Sequence, residues 1–227
     1  MKKILKTVVR NLPIIGPILI KIRNNLLQMD FQSSRYWEER YLHGGNSGMG
    51  SYAHLANFKA DFINQFIMKN NISSVIEFGC GDGNQLRLAN YKKYTGFDVS
   101  DTVLDACRKL FKDDPSKEFK NISQWNPATR AELTLSLDVI YHLVEDNVFY
   151  DYMTKLFDSA EKYVVIYSSN VDATQTIHVK HRQFDVWITD NRPQFKLLHF
   201  EKNKYPYSES DPDHTSFADF YIYSKLV

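Results

Sequence analysis

The sequence predicts an α/β fold with a seven-stranded, mostly parallel β-sheet, helices on both faces and an antiparallel hairpin at one edge. Short apolar runs alternate with helical patterns between residues 74 and 168, which is typical of parallel strands joined by helices. The first of these runs leads directly into a glycine-rich turn. Two strand-like runs near the end of the sequence have no helix between them, so we expect them to pair antiparallel.

The elements are expected in the following order. A helix over 33–41 carries acidic residues in its early turns, which suits a helix amino terminus. A second helix, over 52–69, repeats apolar residues such as Leu55, Phe58 and Phe62 at helical spacing. The other predicted helices are 85–90, 102–110 and 146–160, and the predicted strands are 74–78, 94–98, 118–122, 133–137, 163–168, 195–201 and 217–225.

Composition and charge exclude several classes of protein. The chain has 227 residues, of which 43% are hydrophobic and 24% charged, as in ordinary globular domains. Because 28 Lys and Arg stand against 27 Asp and Glu, no overall field attracts nucleic acid. Two cysteines are too few for the disulfide framework of a small secreted domain, so we expect a reducing, cytoplasmic compartment.

Residues 1–30 form an N-terminal arm that is apolar and basic, with six Lys and Arg and a single acid at Asp30. Its uncharged stretch, 12–20, is shorter than the roughly 20 residues of a membrane-spanning helix, and no small-residue cleavage site follows it. The arm is predicted either to contact the inner membrane face peripherally or to pack on protein. Residues 31–227 are predicted to form one domain.

The segment 44–51 holds four of the nine glycines of the chain. Such a density prevents regular structure and allows backbone amides to approach a ligand closely. A flexible connector is the alternative interpretation.

The strongest motif is the glycine loop, 77–83, in which Gly79, Gly81 and Gly83 follow a short strand. A dinucleotide loop spaces its glycines as G-x-G-x-x-G around a pyrophosphate, whereas this loop reads G-x-G-x-G after Glu77. An acid beside the turn suits a cofactor with an ammonium and a sulfonium group, which favours S-adenosylmethionine. Asp98 ends the next strand, where a carboxylate accepts hydrogen bonds from ribose hydroxyls.

The chain resembles class I S-adenosylmethionine-dependent methyltransferases, which have a Rossmann-like fold, through VIEFGCGDG, GFDVS, LTLSLDVIYHL and YVVIYSSN. The resemblance runs from about residue 52 onwards and implies a set of cofactor-binding residues: Glu77, Gly79, Cys80, Gly81, Gly83, Asp98, Val99, Ser136, Leu137 and Asp138. Many members bind adenine through an acid after the third strand, and here Gln124 and Trp125 occupy that region. The chain is also similar to bacterial methyltransferases of surface polysaccharide biosynthesis, through YWEERY, GGNSGMGS, SLDVIYHLVED and SFADFYIY.

Candidate catalytic residues follow the fourth strand. His142 is predicted to be the general base that deprotonates an acceptor hydroxyl, with Tyr141 as a second candidate; a packing or capping histidine is the alternative. After the fifth strand, the predicted acceptor-binding residues are His178, Lys180, His181 and Arg182, which suit a phosphate or carboxylate. A solvated basic turn is the alternative there. No metal-binding motif is present, and no metal is expected.

The predicted function is therefore O-methylation of a sugar or phosphorylated acceptor in cell-surface glycan synthesis, with S-adenosylmethionine as the methyl donor. N-methylation of a small amine or amino sugar, a non-catalytic cofactor-binding scaffold and a dinucleotide-dependent oxidoreductase are the alternatives.

Overall fold

The structure is a computed structural model that describes residues 31–226, so the predictions for the N-terminal arm lie outside the described residues. Five α-helices are described: α1 (Ser33–Leu42), α2 (Ala53–Lys69), α3 (Asp101–Leu110), α4 (Asp146–Asp158) and α5 (Phe184–Asn191). The strands are β1 (Val75–Phe78), β2 (Tyr94–Asp98), β3 (Lys117–Asn121), β4 (Ala131–Leu137), β5 (Ala160–Ser168), β6 (Ala173–Thr176), β7 (Val179–His181), β8 (Phe195–Glu201) and β9 (Asp219–Lys225).

Seven strands form one sheet in the order β3-β2-β1-β4-β5-β9-β8. Strands β1 to β5 are parallel, and β9 pairs antiparallel with both β5 and β8. The predicted fold class is confirmed. Because β1 lies between β2 and β4, the strand order reverses at this point, and a crevice opens at the carboxyl ends of such strands.

The sheet is buried on both faces, which explains why its central strands are continuously apolar. Val75 packs with α2 and α3 on one face, in a cluster that includes Ile63 and Leu104. Its neighbour Ile76 points to the other face and joins Met153 of α4. This alternation along β1 places two helical layers around one sheet.

One local prediction is wrong, and two features of the fold were not predicted. The segment 85–90 forms only a short 3-10 turn over Gln85–Leu88, because a run of six residues closes too few hydrogen bonds to sustain an α-helix. The small antiparallel sheet of β6 and β7 and the helix α5 were not predicted. In residues 31–226, no helix is long and apolar enough to cross a bilayer.

Candidate active site

A cavity of about 910 Å³, open to solvent, lies at the carboxyl ends of β1, β2 and β4. Its floor is the glycine loop, and its roof is formed by α1 and by the segment 44–51. The strand order therefore predicts the position of this cavity correctly.

The three glycines of the loop all have positive φ angles, of 79°, 57° and 75°, which side chains other than glycine rarely adopt. A Cβ atom at Gly79 would lie 2.5 Å from Cγ2 of Val139, and one at Gly81 would lie 2.3 Å from Oγ of Ser47. Gly83 differs, because its Cβ would meet Phe111 at 2.9 Å, away from the cavity. Gly79 and Gly81 shape the cavity, whereas Gly83 allows close packing.

Asp82 fastens the roof segment 44–51 to the glycine loop. Its Oδ2 accepts hydrogen bonds from the Ser47 amide (2.9 Å) and the Tyr52 hydroxyl (2.7 Å). In return, the Asp82 amide donates to Oγ of Ser47 (2.9 Å). Ser47 and Ser51 line the cavity, so the segment faces the ligand space. In the sequence, only the position of Asp82 between the second and third glycines could have indicated this contact.

Glu77 is buried at the end of β1 and lines the cavity. Burial raises the pKa of its carboxyl to about 7, against the opposing effects of the Tyr94 hydrogen bond and the positive charge of Lys59. The Tyr94 hydroxyl donates to Oε2 at 2.7 Å. Glu77 is therefore a partly ionised acid near neutral pH.

Asp98 is buried at the end of β2, and both of its carboxylate oxygens are held by the backbone. Oδ2 accepts from the Gly81 amide at 3.0 Å and Oδ1 from the Ser100 amide at 3.1 Å. Burial raises the pKa of Asp98, and these backbone hydrogen bonds oppose the rise. Each oxygen can accept a further hydrogen bond. Val99, the next residue, also lines the cavity.

Gln124 and Trp125 do not line the cavity. The Gln124 side chain accepts from the Asn121 amide (3.0 Å) in a capping box. The Trp125 indole donates to Ser159 Oγ (2.9 Å). The wall in this region is apolar instead, with side chains of Val99, Ile122 and Val148.

Asp138, directly after β4, is a non-glycine residue with a φ of 61°. Its Oδ2 accepts from Nζ of Lys59 at 2.6 Å, and its Oδ1 from the Tyr141 hydroxyl at 2.8 Å. Lys59 is buried to 1% exposure and its Nζ lies 5.3 Å from the centre of the Tyr167 ring. Strained residues of this kind persist where surrounding contacts fix them, often at functional sites. Lys59 was not predicted as a site residue.

The two residues before Asp138 differ in their surroundings. Leu137 lines the cavity, whereas Ser136 is fully buried. The Tyr152 hydroxyl donates to the Phe78 carbonyl at 2.9 Å and accepts from the Ser136 hydroxyl at 2.7 Å. Ser136 thus joins adjacent strands beneath the site.

Tyr141 is buried and donates its hydroxyl proton to Asp138. Burial, together with the negative charge of Asp138, raises the pKa of Tyr141 well above its usual range. The phenol therefore stays protonated near neutral pH and orients Asp138.

His142 lines the cavity, and its Nδ1 lies 3.0 Å from the backbone carbonyl of His178. A carbonyl only accepts, so Nδ1 carries the proton and Nε2 holds a lone pair. Within residues 31–226, Nε2 has no hydrogen-bond partner. Burial lowers the pKa of His142 to about 4, although its hydrogen bond to His178 opposes this. The imidazole is therefore neutral at physiological pH.

The predicted basic cluster at 178–182 mostly makes internal contacts that stabilise the loop after β4. Lys180 and Arg182 both pair with Asp146, at 2.7 Å and 2.8 Å. The Arg182 guanidinium also donates to the carbonyls of Leu143 and Val144, each at 2.9 Å. These two cations thus have internal partners.

The two histidines of that cluster belong to the β6–β7 hairpin, with His178 in its turn and His181 at the end of β7. His181 is buried, with Nδ1 2.6 Å from Ser169 Oγ. The His178 backbone holds His142, and its ring stacks on Tyr36 of α1 at 5.0 Å. Of the four residues, His178 is therefore the one in contact with His142, which lines the cavity.

The helix α1 was predicted, but not its role as roof. Trp37 and Tyr41 line the cavity from this helix. The Ser33 amide donates to Glu145 (2.8 Å), and Thr102 donates to Glu38 (2.5 Å). These contacts tie the helix to both sides of the crevice.

No protein-family model matches the chain, and no curated protein matches it significantly. Its structure is similar to magnesium protoporphyrin IX methyltransferase from Synechocystis with bound SAM (12% identity, 86% of this chain, 98% of that chain, TM-score 0.60). It is also similar to the N-methyltransferase NodS from Bradyrhizobium japonicum (16% identity, 77% and 98%, TM-score 0.59). The fold is that of SAM-dependent methyltransferases. At such identities the similarity shows the fold alone.

Within this methyltransferase fold, the predicted residues separate into two groups. Those that line the cavity are Glu77, Gly79, Cys80, Gly81, Asp98, Val99, Leu137, Asp138 and His142. Those that do not are Gly83, Gln124, Trp125, Ser136, Tyr141, His178, Lys180, His181 and Arg182. Among residues 31–226, no group of three His, Cys, Asp or Glu side chains is arranged to hold a metal ion.

Proposed function

We propose that this protein binds S-adenosylmethionine in the cavity and transfers its methyl group to a hydroxyl of a sugar or phosphorylated acceptor. The observation that carries the proposal is one cavity that joins the glycine loop and Asp98 to Nε2 of His142, which has no hydrogen-bond partner among residues 31–226. The bound cofactor would supply a methyl group activated by a positively charged sulfur.

The charges of the cavity suit that cofactor. Among the described residues, its lining contains one cation, Lys59, and three carboxylates, Glu77, Asp98 and Asp138. A negative lining favours a ligand with ammonium and sulfonium charges and disfavours a pyrophosphate. Gln85 adds a buried Oε1 with no partner in the described part of the chain, and this acceptor fits an ammonium group. The negative lining and the Gln85 oxygen thus both suit the methionine end of S-adenosylmethionine.

The other end of the cofactor fits the remaining walls. Asp98 would accept from the ribose hydroxyls while its backbone hydrogen bonds hold it in place. The adenine would pack against the apolar wall of Val99, Ile122 and Val148.

His142 would act as the general base. When the acceptor oxygen takes the methyl group, the Nε2 lone pair of His142 would accept the proton that this hydroxyl loses. The His178 carbonyl fixes the ring with this lone pair available. Alignment of acceptor and methyl group supplies most of the rate in such displacements.

The glycan acceptor and a peripheral contact of residues 1–30 with the inner membrane face belong to the same proposal. The motif resemblance to surface-polysaccharide methyltransferases supports the first. The second is supported by the charge of the arm and by its attachment point, because Ser33, at the start of α1, lines the cavity. The arm thus joins the domain beside the cavity.

Calorimetric titration with S-adenosylmethionine and S-adenosylhomocysteine tests the cofactor step. Asp98→Asn should weaken both about 10- to 100-fold, as expected for a lost charge-assisted hydrogen bond. The matched control is Asp101→Asn, whose exposed carboxylate lies outside the cavity and which should bind within about twofold of wild type. Absence of cofactor binding to wild type overturns the proposal.

Turnover to S-adenosylhomocysteine with hydroxyl and amine acceptors tests the reaction. His142→Gln should abolish turnover of hydroxyl acceptors and leave cofactor affinity intact. Turnover confined to amines would assign N-methylation, and binding without turnover of any acceptor would assign a scaffold.

A further inference from the structure

We infer that the acceptor site contains an anion subsite at Arg40, so that the acceptor is a ring compound carrying a phosphate or a carboxylate. The ring would pack against Trp37 and His142 while its anionic group binds the guanidinium. This inference rests on the proposed function and specifies its substrate class.

Among residues 31–226, the Arg40 guanidinium is held in place without a counter-charge. Its Nε donates to the Asn46 carbonyl at 2.6 Å, and its Cζ lies 5.6 Å from the centre of the Trp37 ring. Within residues 31–226 Arg40 forms no ion pair, and its Nη1 has no hydrogen-bond partner. Arg35, on the same helix, is instead paired with Glu39 at 2.7 Å. A pre-oriented guanidinium is well suited to bind a planar or tetrahedral anion.

The groups around Arg40 do not neutralise it. Burial lowers the pKa values of His142 and His178, and the positive charge of Arg40 contributes to lowering both. Both rings therefore sit within the electrostatic field of Arg40 as neutral groups. The nearby carboxylate of Asp138 is already paired with Lys59. An acceptor anion would supply the missing negative charge.

Four rings pack against one another in a closed cluster between α1 and the β6–β7 hairpin, since Tyr36 also contacts Trp37, at 5.5 Å. The Trp37 and His142 centroids are 4.9 Å apart at 78°. His178 lies parallel to His142 at 6.0 Å and stacks on Tyr36 at 5.0 Å. Rigid aromatic faces bind ring compounds at low entropic cost. Of the four, Trp37 and His142 line the cavity, so an acceptor ring packed against them would lie beside His142, where its hydroxyl would be methylated.

Arg40 thus takes the role that sequence spacing assigned to the cluster at 178–182. Lys180 and Arg182 are committed to Asp146. Arg40 itself is outside the cavity lining, but its guanidinium lies 5.6 Å from the centre of the Trp37 ring, which lines the cavity. It would therefore act on binding of the acceptor, not on methyl transfer itself.

The test titrates the protein saturated with S-adenosylhomocysteine with glucose 1-phosphate, glucuronate and the neutral methyl glucoside. At least one anionic sugar should bind, and at least about tenfold more tightly than the neutral one; the two anions distinguish phosphate from carboxylate recognition. Arg40→Gln should weaken anion binding at least about tenfold, and Arg40→Lys should retain part of it. Arg35→Gln, which removes an ion-paired arginine from the same helix, should bind within about twofold of wild type.

A second measurement follows the imidazole signals by NMR. Arg40→Gln should raise the pKa values of His142 and His178, whereas Arg35→Gln should leave them unchanged. If no anionic sugar binds to the wild-type complex, or if Arg40→Gln and Arg35→Gln bind it alike, the subsite is refuted. Normal binding of S-adenosylhomocysteine in that case leaves the proposed function standing, whereas loss of that binding from wild type refutes both.

Discussion

The contact between the glycine loop and its roof gives a prediction with a calculable size. Gly81→Ala places a methyl group 2.3 Å from Ser47 Oγ, on a backbone with a φ of 57°. The left-handed backbone alone costs about 1–2 kcal/mol for alanine. The clash displaces a serine hydroxyl that bonds the Asp82 amide and the Tyr41 hydroxyl, and each lost hydrogen bond costs about 0.5–1.5 kcal/mol.

The free energy of unfolding should therefore fall by about 2–5 kcal/mol in Gly81→Ala. Gly44→Ala is the matched control, because Gly44 has a φ of 78° and no atom lies within 4 Å of the position that its added methyl group would take. It should lose only the backbone cost of about 1–2 kcal/mol. Ser47→Gly removes the clashing hydroxyl, after which the nearest atom is Tyr41 Oη at 3.4 Å.

Urea denaturation of wild type, Gly81→Ala, Ser47→Gly and the double variant Gly81→Ala/Ser47→Gly gives the coupling free energy between positions 47 and 81. We expect a coupling of about 1–3 kcal/mol, with the second mutation costing less in the presence of the first. S-adenosylhomocysteine affinity should fall in Gly81→Ala and partly recover in the double variant. If Gly81→Ala lowers the free energy of unfolding no more than Gly44→Ala does, the inferred contact between the glycine loop and the roof segment is refuted.

Three further predictions concern buried charges. Lys59→Met should lower the free energy of unfolding by about 3–5 kcal/mol, because Asp138 is left as an unpaired buried charge; urea denaturation measures it. His142, with a folded pKa of about 4 and an unfolded value near 6.5, binds fewer protons when folded. Its contribution to the free energy of unfolding is therefore complete above pH 6.5 and falls by about 3 kcal/mol as the pH drops towards 4. For Glu77, whose folded pKa of about 7 exceeds the unfolded value, stability is complete below about pH 4.5 and is lost as pH rises through 7. Thermal unfolding from about pH 4 to 9 should show both dependences.

Controls separate these effects from general damage. Lys59→Met/Asp138→Asn should regain stability relative to Lys59→Met, and no recovery would contradict the pairing. His142→Gln should flatten the acidic limb of the pH profile, which exposed His43→Gln should not. An unchanged alkaline limb in Glu77→Gln would contradict the raised pKa of Glu77.

The sheet was predictable because each central strand is a short apolar run with clear ends. Strand β6 reads ATQT and gives no apolar alternation, and α5 has eight residues without a side-chain cap. Both elements depend on contacts with the rest of the fold. Sequence periodicity reports burial of whole faces over several turns or residues, so it misses a strand as short and polar as β6 and a helix as short as α5.

The candidate site was predictable only where local backbone geometry decides it. The glycines follow from their spacing in the turn after β1, and Asp98 follows from its position at the end of the next strand, β2. Lys59 occurs on α2, where a lysine normally faces water, and its burial depends on Asp138, 79 positions later. Arg182 was predicted to bind the acceptor, but it is an internal contact instead. Its partners, the carbonyls of Leu143 and Val144, belong to another loop, which local sequence does not reveal.

The antiparallel last strand of the sheet separates the two ends of the described chain. Ser224 pairs with Tyr163 near the start of β5, so the chain leaves the sheet at the end opposite the cavity. Ser33, in contrast, lines the cavity rim. Immobilising the protein through its carboxyl-terminal side therefore leaves the mouth of the cavity free for ligand screening.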